Sequence, residues 1–188
     1  MKKSLLLIAT TIALVTGARA TTVIPPTFEQ LVDQAEIIFQ GSVTDVRSVW
    51  SGEGAQRHID SYVTFQIEEA LKGVPGKSYT IRMLGGTVDG ETMEVTDSPK
   101  FKIGDHDILF VEHNGEQFIP LVGINNGRFH IQRDAQTNRD IIMNGDGEPV
   151  RDVAKFGHEE ESVATTDAIS PAEFKSAIQT RLANHPER

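Results

Sequence analysis

The sequence predicts a mainly β protein: a small antiparallel barrel with a short N-terminal helix and a C-terminal amphipathic helix, a β-sandwich being the alternative. Three observations lead there. Alternating apolar segments recur between residues 37 and 143, which we count as six or seven strands. Short turns join them, with no helical stretch between to make a parallel crossover. Helix-start signals stand only at the two ends of that region.

The first twenty residues read as a signal peptide and stand outside the fold. Lys2 and Lys3 open a basic start, Ser4 to Gly17 is apolar, and Ala18-Arg19-Ala20 supplies the small residues of a cleavage site. Cleavage is expected between Ala20 and Thr21. The apolar run is short of the roughly 20 residues a membrane span needs. The chain of 188 residues has 18 Lys+Arg against 27 Asp+Glu, a net charge of −9. The leader carries Lys2, Lys3 and Arg19 and no acid, so its removal takes the charge to about −12. Such a balance argues against a nucleic-acid partner, which needs a basic footprint. No other stretch is apolar enough for membrane insertion, and a periplasmic or extracellular protein is expected.

With no Cys at all, disulfides, thiol catalysis and Cys-ligated zinc are excluded. Stability then rests on the core, and one domain of this length buries roughly 70% of its unfolded surface.

Thr27-Phe28-Glu29-Gln30 reads as a capping box, and Phe28, Leu31, Val32 and Ala35 follow on one helical face. From Ile37 to Trp50 the pattern turns β, with Gly41 marking a bulge or bend. Ser51 to Gln56 is a loop. Ile59, Ser61, Val63, Phe65 and Ile67 then alternate along a second strand that ends at Leu71-Lys72-Gly73. Tyr79 to Leu84 is a third strand. The glycine-rich span from Gly85 to Asp105 is long for a plain connection, and Met93-Glu94-Val95 suggests a short strand within it. Ile108 to Glu112 is a strand, expected to turn at Asn114-Gly115 into another over Phe118 to Val122. Arg128 to Arg133 and Asp140 to Met143 form a hairpin around Gln136-Thr137-Asn138. The barrel domain is drawn over 21–150.

An acidic linker follows over 151–169, with Glu159-Glu160-Glu161 at its centre. Ser170-Pro171-Ala172-Glu173 opens a helix over 170–185 whose face carries Phe174, Ala177, Ile178, Arg181 and Leu182. It is expected to dock on its own barrel.

No motif for chemistry stands out. Asp105 and Asp107 share one face of a strand and His106 the other, so the three cannot converge on one ion. His58 and Asp60 share a face, but two ligands do not hold a metal. Asn144-Gly145-Asp146-Gly147-Glu148 alternates acids but lacks the Glu and helices of a calcium loop, and reads as an Asx turn. There is no G-x-S-x-G elbow and no phosphate loop. No catalytic residue, cofactor or metal site is therefore assigned. The candidate partner-binding residues are Gly85, Gly86, Asp89 and Glu91, with the segment before Phe28 as a second contact surface.

The order Phe28-x-x-Leu31-Val32-x-x-Ala35-Glu36-Ile37-Ile38-x-x-Gly41-x-Val43, a Trp50 loop, Val63-x-Phe65-x-Ile67 and Leu71-Lys72-Gly73 resembles a group of small exported bacterial proteins, mostly uncharacterised. Gly85-Gly86, Pro99-x-Phe101-x-x-Gly104-Asp105 and Leu109-Phe110-Val111 extend the resemblance to residue 133. The stretch Ala35 to Val43 with Lys72-Gly73 is also similar to the netrin-like OB-fold of tissue inhibitors of metalloproteinases. That resemblance implies an OB-like Greek-key barrel with helices alongside, and a protein-binding or protease-inhibiting role. The chain departs from those inhibitors in having no Cys to chelate a protease zinc. The expected function is thus an exported non-catalytic binding module with an exported protein partner, a protease in the narrower reading. The alternative is a secreted or periplasmic hydrolase of cell-wall or polysaccharide material, using carboxylates such as Asp105 or Asp107.

Overall fold

The computed structural model describes residues 25–157 and 168–184. The Ala20–Thr21 cleavage site and the Glu159–Glu161 run lie outside the described residues. Helix α1 spans Phe28–Gln34, and its capping box forms as the sequence requires: Thr27 Oγ1 accepts from Gln30 N, and Gln30 Oε1 accepts from Thr27 N. Strands follow as β1 Ile37–Ser51, β2 His58–Lys72, β3 Ser78–Leu84, β4 Gly86–Val88, β5 Glu91–Met93, β6 His106–Val111, β7 Arg128–Arg133 and β8 Asp140–Met143. Helix α2 spans Pro171–Asn184. No helix among the described residues is long and apolar enough to cross a membrane.

Six strands form one antiparallel ladder in the order β3-β2-β1-β6-β7-β8, and β4-β5 form a separate hairpin. After the β1-β2-β3 meander, β6 returns to lie beside β1, the strand order of a Greek key. The ladder runs unbroken through all six strands. β3 and β8 are its edges.

β1 and β2 are 15 residues each, far longer than the usual five or six. Their pairing shifts register at Ile38/Phe39, Gln40/Gly41 and Val43/Asp45. Gly41 is needed at its bulge: a Cβ there would lie 2.6 Å from Gln66 O. The bends let β1 pair with β2 along its whole length and with β6 only over residues 37–42.

Alternation splits the core between the two faces of the sheet. On one face Ile38, Ile108, Phe110, Phe129, Ile131 and Ile142 pack against Phe28, Leu31 and Val32 of α1 and Phe174 and Ile178 of α2. Rings of Phe28, Phe110, Phe129, Phe156 and Phe174 meet there, Phe129 and Phe174 at 4.7 Å. On the other, Phe39, Val43, Val63, Phe65, Ile81, Met83, Leu109 and Val111 pack with Ile119 and Leu121. Helix α2 does dock on its own sheet, and Arg181 ties it to Asp33 of α1.

One expected strand is absent. Residues 112–120 form turns, and Phe118 to Val122 contributes only an isolated bridge, Leu121 to Val111. Asn114 explains the difference, since it serves the β3 edge in place of a tight turn. Its Oδ1 accepts from Arg82 N at 3.0 Å and its Nδ2 donates to Thr80 O at 2.8 Å, mimicking a neighbouring strand. Phe118 O accepts from Leu84 N at 2.7 Å. This loop covers the edge that would otherwise be left unpaired. The suggested strand at Met93-Glu94-Val95 is present two residues earlier, as β5.

Candidate functional site

The strongest candidate site is a cleft of about 360 Å³ under the β4-β5 hairpin. Its floor is the second core face where it runs out along β1, β2 and β3: Val46, Val63 and Met83, with the hydroxyls of Ser48 and Ser61 at the end. The hairpin turns at Asp89-Gly90 with φ of +52° and +84°, both positive as a primed turn requires. It then lies back over β1 and β2.

Gly86 makes that return possible. Ser61 Oγ donates to Gly85 O at 2.6 Å and sits 2.8 Å from Ser48 Oγ. A Cβ on Gly86 would fall 2.3 Å from Ser61 Oγ and 2.4 Å from Ser48 Oγ, at a φ of +140°. Only glycine lets the hairpin backbone rest on the serine pair. Gly85, with φ +100°, has its N–H bonded to Ile59 O at 2.7 Å.

The opposite wall is residues 94–101, with Val95, Ser98, Pro99 and Phe101 facing in. Phe101 stands edge-on to Phe65, with ring centroids 5.5 Å apart, and the Arg128 guanidinium lies 4.2 Å over its ring. Arg128 holds this wall to the sheet. Its Nη1 donates to Lys100 O at 2.7 Å, its Nη2 to Asp105 at 2.8 Å, and Nε and Nη2 both reach Asp107 at 3.1 Å. Asp107 is fully buried, and His130 Nδ1 lies 2.9 Å from it. A bidentate Arg on a buried carboxylate is rigid and directional. At the rim, Lys100 bonds Glu94 and holds its carboxylate below the usual range.

Of the candidate residues, Gly85 and Gly86 line the cleft. Asp89 and Glu91 are exposed at the hairpin tip, outside it. Asp105 and Asp107 share a face, as alternation predicts, and both are engaged by Arg128. Across the sheet, His106 bonds Glu68 at 2.8 Å, with Gln40 and Ser42 also reaching that carboxylate. Burial pushes Glu68 upward, but the Ser42 hydroxyl, the His106 charge and the His106 and Gln40 hydrogen bonds together bring it below its ordinary value. Asn144 makes the Asx turn, its Oδ1 accepting from Asp146 N at 3.0 Å and Glu148 N at 2.8 Å. No group of three metal-ligating side chains exists among the described residues.

Sequence reasoning missed Ser48, Ser61 and Arg128. Ser61 falls on the apolar face of β2 with Ile59 and Val63, Ser48 lies between Arg47 and Val49, and Arg128 opens β7, so none stands in a pattern that marks a site. The only signal was Arg128 and His130 opposite the face of Phe129 and Ile131, which is also the pattern of an ordinary half-exposed strand.

No protein-family model matches the chain, and no curated protein matches it.

Proposed function

We propose that the chain is an exported, non-catalytic binding module whose cleft between the β4-β5 hairpin and residues 94–101 grips an apolar side chain of a protein partner. The cleft itself carries the reading: an apolar floor with a hydroxyl rim, between walls seated on Gly86 and pinned by Arg128. Such concave apolar sites with a few placed polar groups are what binding surfaces use. Ile103, 69% exposed beside the wall, extends the apolar contact. The acidity of the chain favours a partner that is basic around its apolar anchor.

The Greek-key strand order supports an OB-like, netrin-like barrel. The Lys72-Gly73 pair has a structural part in it. Lys72 Nζ donates to Val32 O and Asp33 O at the end of α1. Gly73, at φ +71°, lets the chain pass Glu36 O, which a Cβ would approach to 2.8 Å. The leader pattern of residues 1–20 supports export. Protease inhibition is the narrower form of the same reading.

The test uses protein beginning at Thr21 as bait in the exported fraction of its source cells, with and without a metal chelator. A stoichiometric partner is expected, lost when Met93→Asp places a charge in the cleft while the melting temperature is unchanged. Loss of the partner on chelation would single out a metalloprotease. A partner held equally by Met93→Asp refutes the cleft.

A further inference from the structure

A second concave site lies on the opposite face of β2 and β3 from the cleft, about 250 Å³ in volume and lined by His58, Asp60, Arg82, Leu84 and Phe118. Its central group is unusual. The Asp60 side chain is 5% exposed, yet among the described residues no hydrogen bond reaches its carboxylate. His58 Nε2 and Arg82 Nη1 each stand 3.5 Å from Oδ2, beyond good hydrogen-bonding distance. Held only by these two long ion-pair contacts, the Asp60 carboxylate keeps lone pairs that hydroxyl donors of a ligand can use.

The surrounding groups are fixed by bonds pointing away from the pocket. His58 Nδ1 lies 2.8 Å from Gln56 O, an acceptor only, so Nδ1 carries the proton and Nε2 faces Asp60. Arg82 Nη2 donates to Gly115 O at 2.6 Å, which holds the guanidinium and leaves Nη1 with hydrogens to offer. Leu84 and Phe118 make the apolar wall, and Phe118 is 71% exposed although the loop that carries it is bonded to the β3 edge.

We infer that this pocket binds one neutral pyranose ring of a glycan. A carboxylate acceptor beside a guanidinium donor matches vicinal hydroxyls, each of which donates and accepts. The C–H face of the ring would pack on Phe118 and Leu84. Arg82 offsets the Asp60 charge, so a neutral ligand is favoured over an amine. The volume falls below the roughly 300–1,000 Å³ of drug-sized sites, which limits the occupant to about one ring. Because its polar groups, His58, Asp60 and Arg82, are none of those that line the cleft, this site stands whether or not the cleft binds a protein.

Saturation-transfer NMR with cellotriose and with the N-acetylglucosamine trimer, each at up to about 10 mM, tests it, with n-butylamine as the cationic comparison. Transfer to one of the two sugars is expected, localised to a single ring. Phe118→Ala should weaken it about tenfold with an unchanged circular dichroism spectrum, because that side chain is largely exposed. Asp60→Asn should abolish it. No transfer to either sugar, transfer undiminished in Phe118→Ala, or preferential binding of the amine would each overturn the inference.

Discussion

Replacing Arg128 with Met keeps the length of the side chain and removes the one cation that Asp107 and Asp105 share. Asp107 is wholly buried and the Arg128 side chain is 13% exposed, so the pair is shielded from solvent and the charge left behind cannot be rehydrated cheaply. After the change Asp107 keeps His130 on one oxygen and faces the Asp105 carboxylate with nothing between them. Breaking such a pair costs about 3–5 kcal/mol, and the lost contact with the Phe101 ring adds about 0.5–2 kcal/mol. Against a total stability of roughly 5–15 kcal/mol, that is a large fraction. For a domain of this size the melting temperature should fall by roughly 7–28 °C. Urea unfolding followed by circular dichroism measures it. The double variant Asp107→Asn/Arg128→Met, which removes the stranded charge, should regain a large part of the loss. A single-variant loss below about 1 kcal/mol, or a double variant no better than the sum of the singles, would refute the view of Arg128 as the buried anchor of the cleft wall.

Three further outcomes are expected. Phe174→Ala empties the centre of the aromatic cluster between α2 and the sheet and should cost about 3–5 kcal/mol in urea unfolding, with α2 amides losing exchange protection first. Gly86→Ala drives a methyl into the Ser48–Ser61 pair; about 1–3 kcal/mol should be lost and amide exchange of residues 86–93 should rise, whereas an unchanged rate would mean the hairpin does not rest on the serines. Glu173 accepts from the backbone N–H and then the hydroxyl of Ser170, and these bonds hold it below its ordinary value of 4.5 against a small opposing effect of burial. Its folded value lies below its unfolded one, so the charged form stabilises α2 above the ordinary value, and that contribution disappears as pH falls through the folded value. Between about pH 5 and pH 3 the stability of the wild type should therefore decline more steeply than that of Glu173→Gln, as read by melting at each pH.

Much of the fold was legible because it follows from local chemistry. The Thr27 and Ser170 caps are satisfied within three residues, so their helices start where the sequence places them. Period-two apolar patterns set the face of each residue in β2 and β6, and so put Asp105 and Asp107 on one side and His106 on the other. The Asn144 turn is likewise decided by residues close in sequence. Asn114-Gly115 shows the limit. The dipeptide is as good a hairpin turn as any, yet the unpaired edge of β3, more than thirty residues upstream, offers Asn114 donors and acceptors that outcompete it.

The sites belong to that second kind of cause. The sequence alone established a mainly β chain with two capped helices, no Cys, strong acidity and a leader-like start. It also singled out Gly85 and Gly86, since a glycine pair after a strand marks a close backbone approach. It could not supply what they approach, because Ser48 and Ser61 meet Gly86 only once two bent strands and a hairpin have packed. Arg128 reaches Asp105 and Asp107 across a ladder, and Asp60 meets Arg82 and Phe118 across an edge. Burial and charge pairing depend on separations in space, which one-dimensional periodicity does not encode.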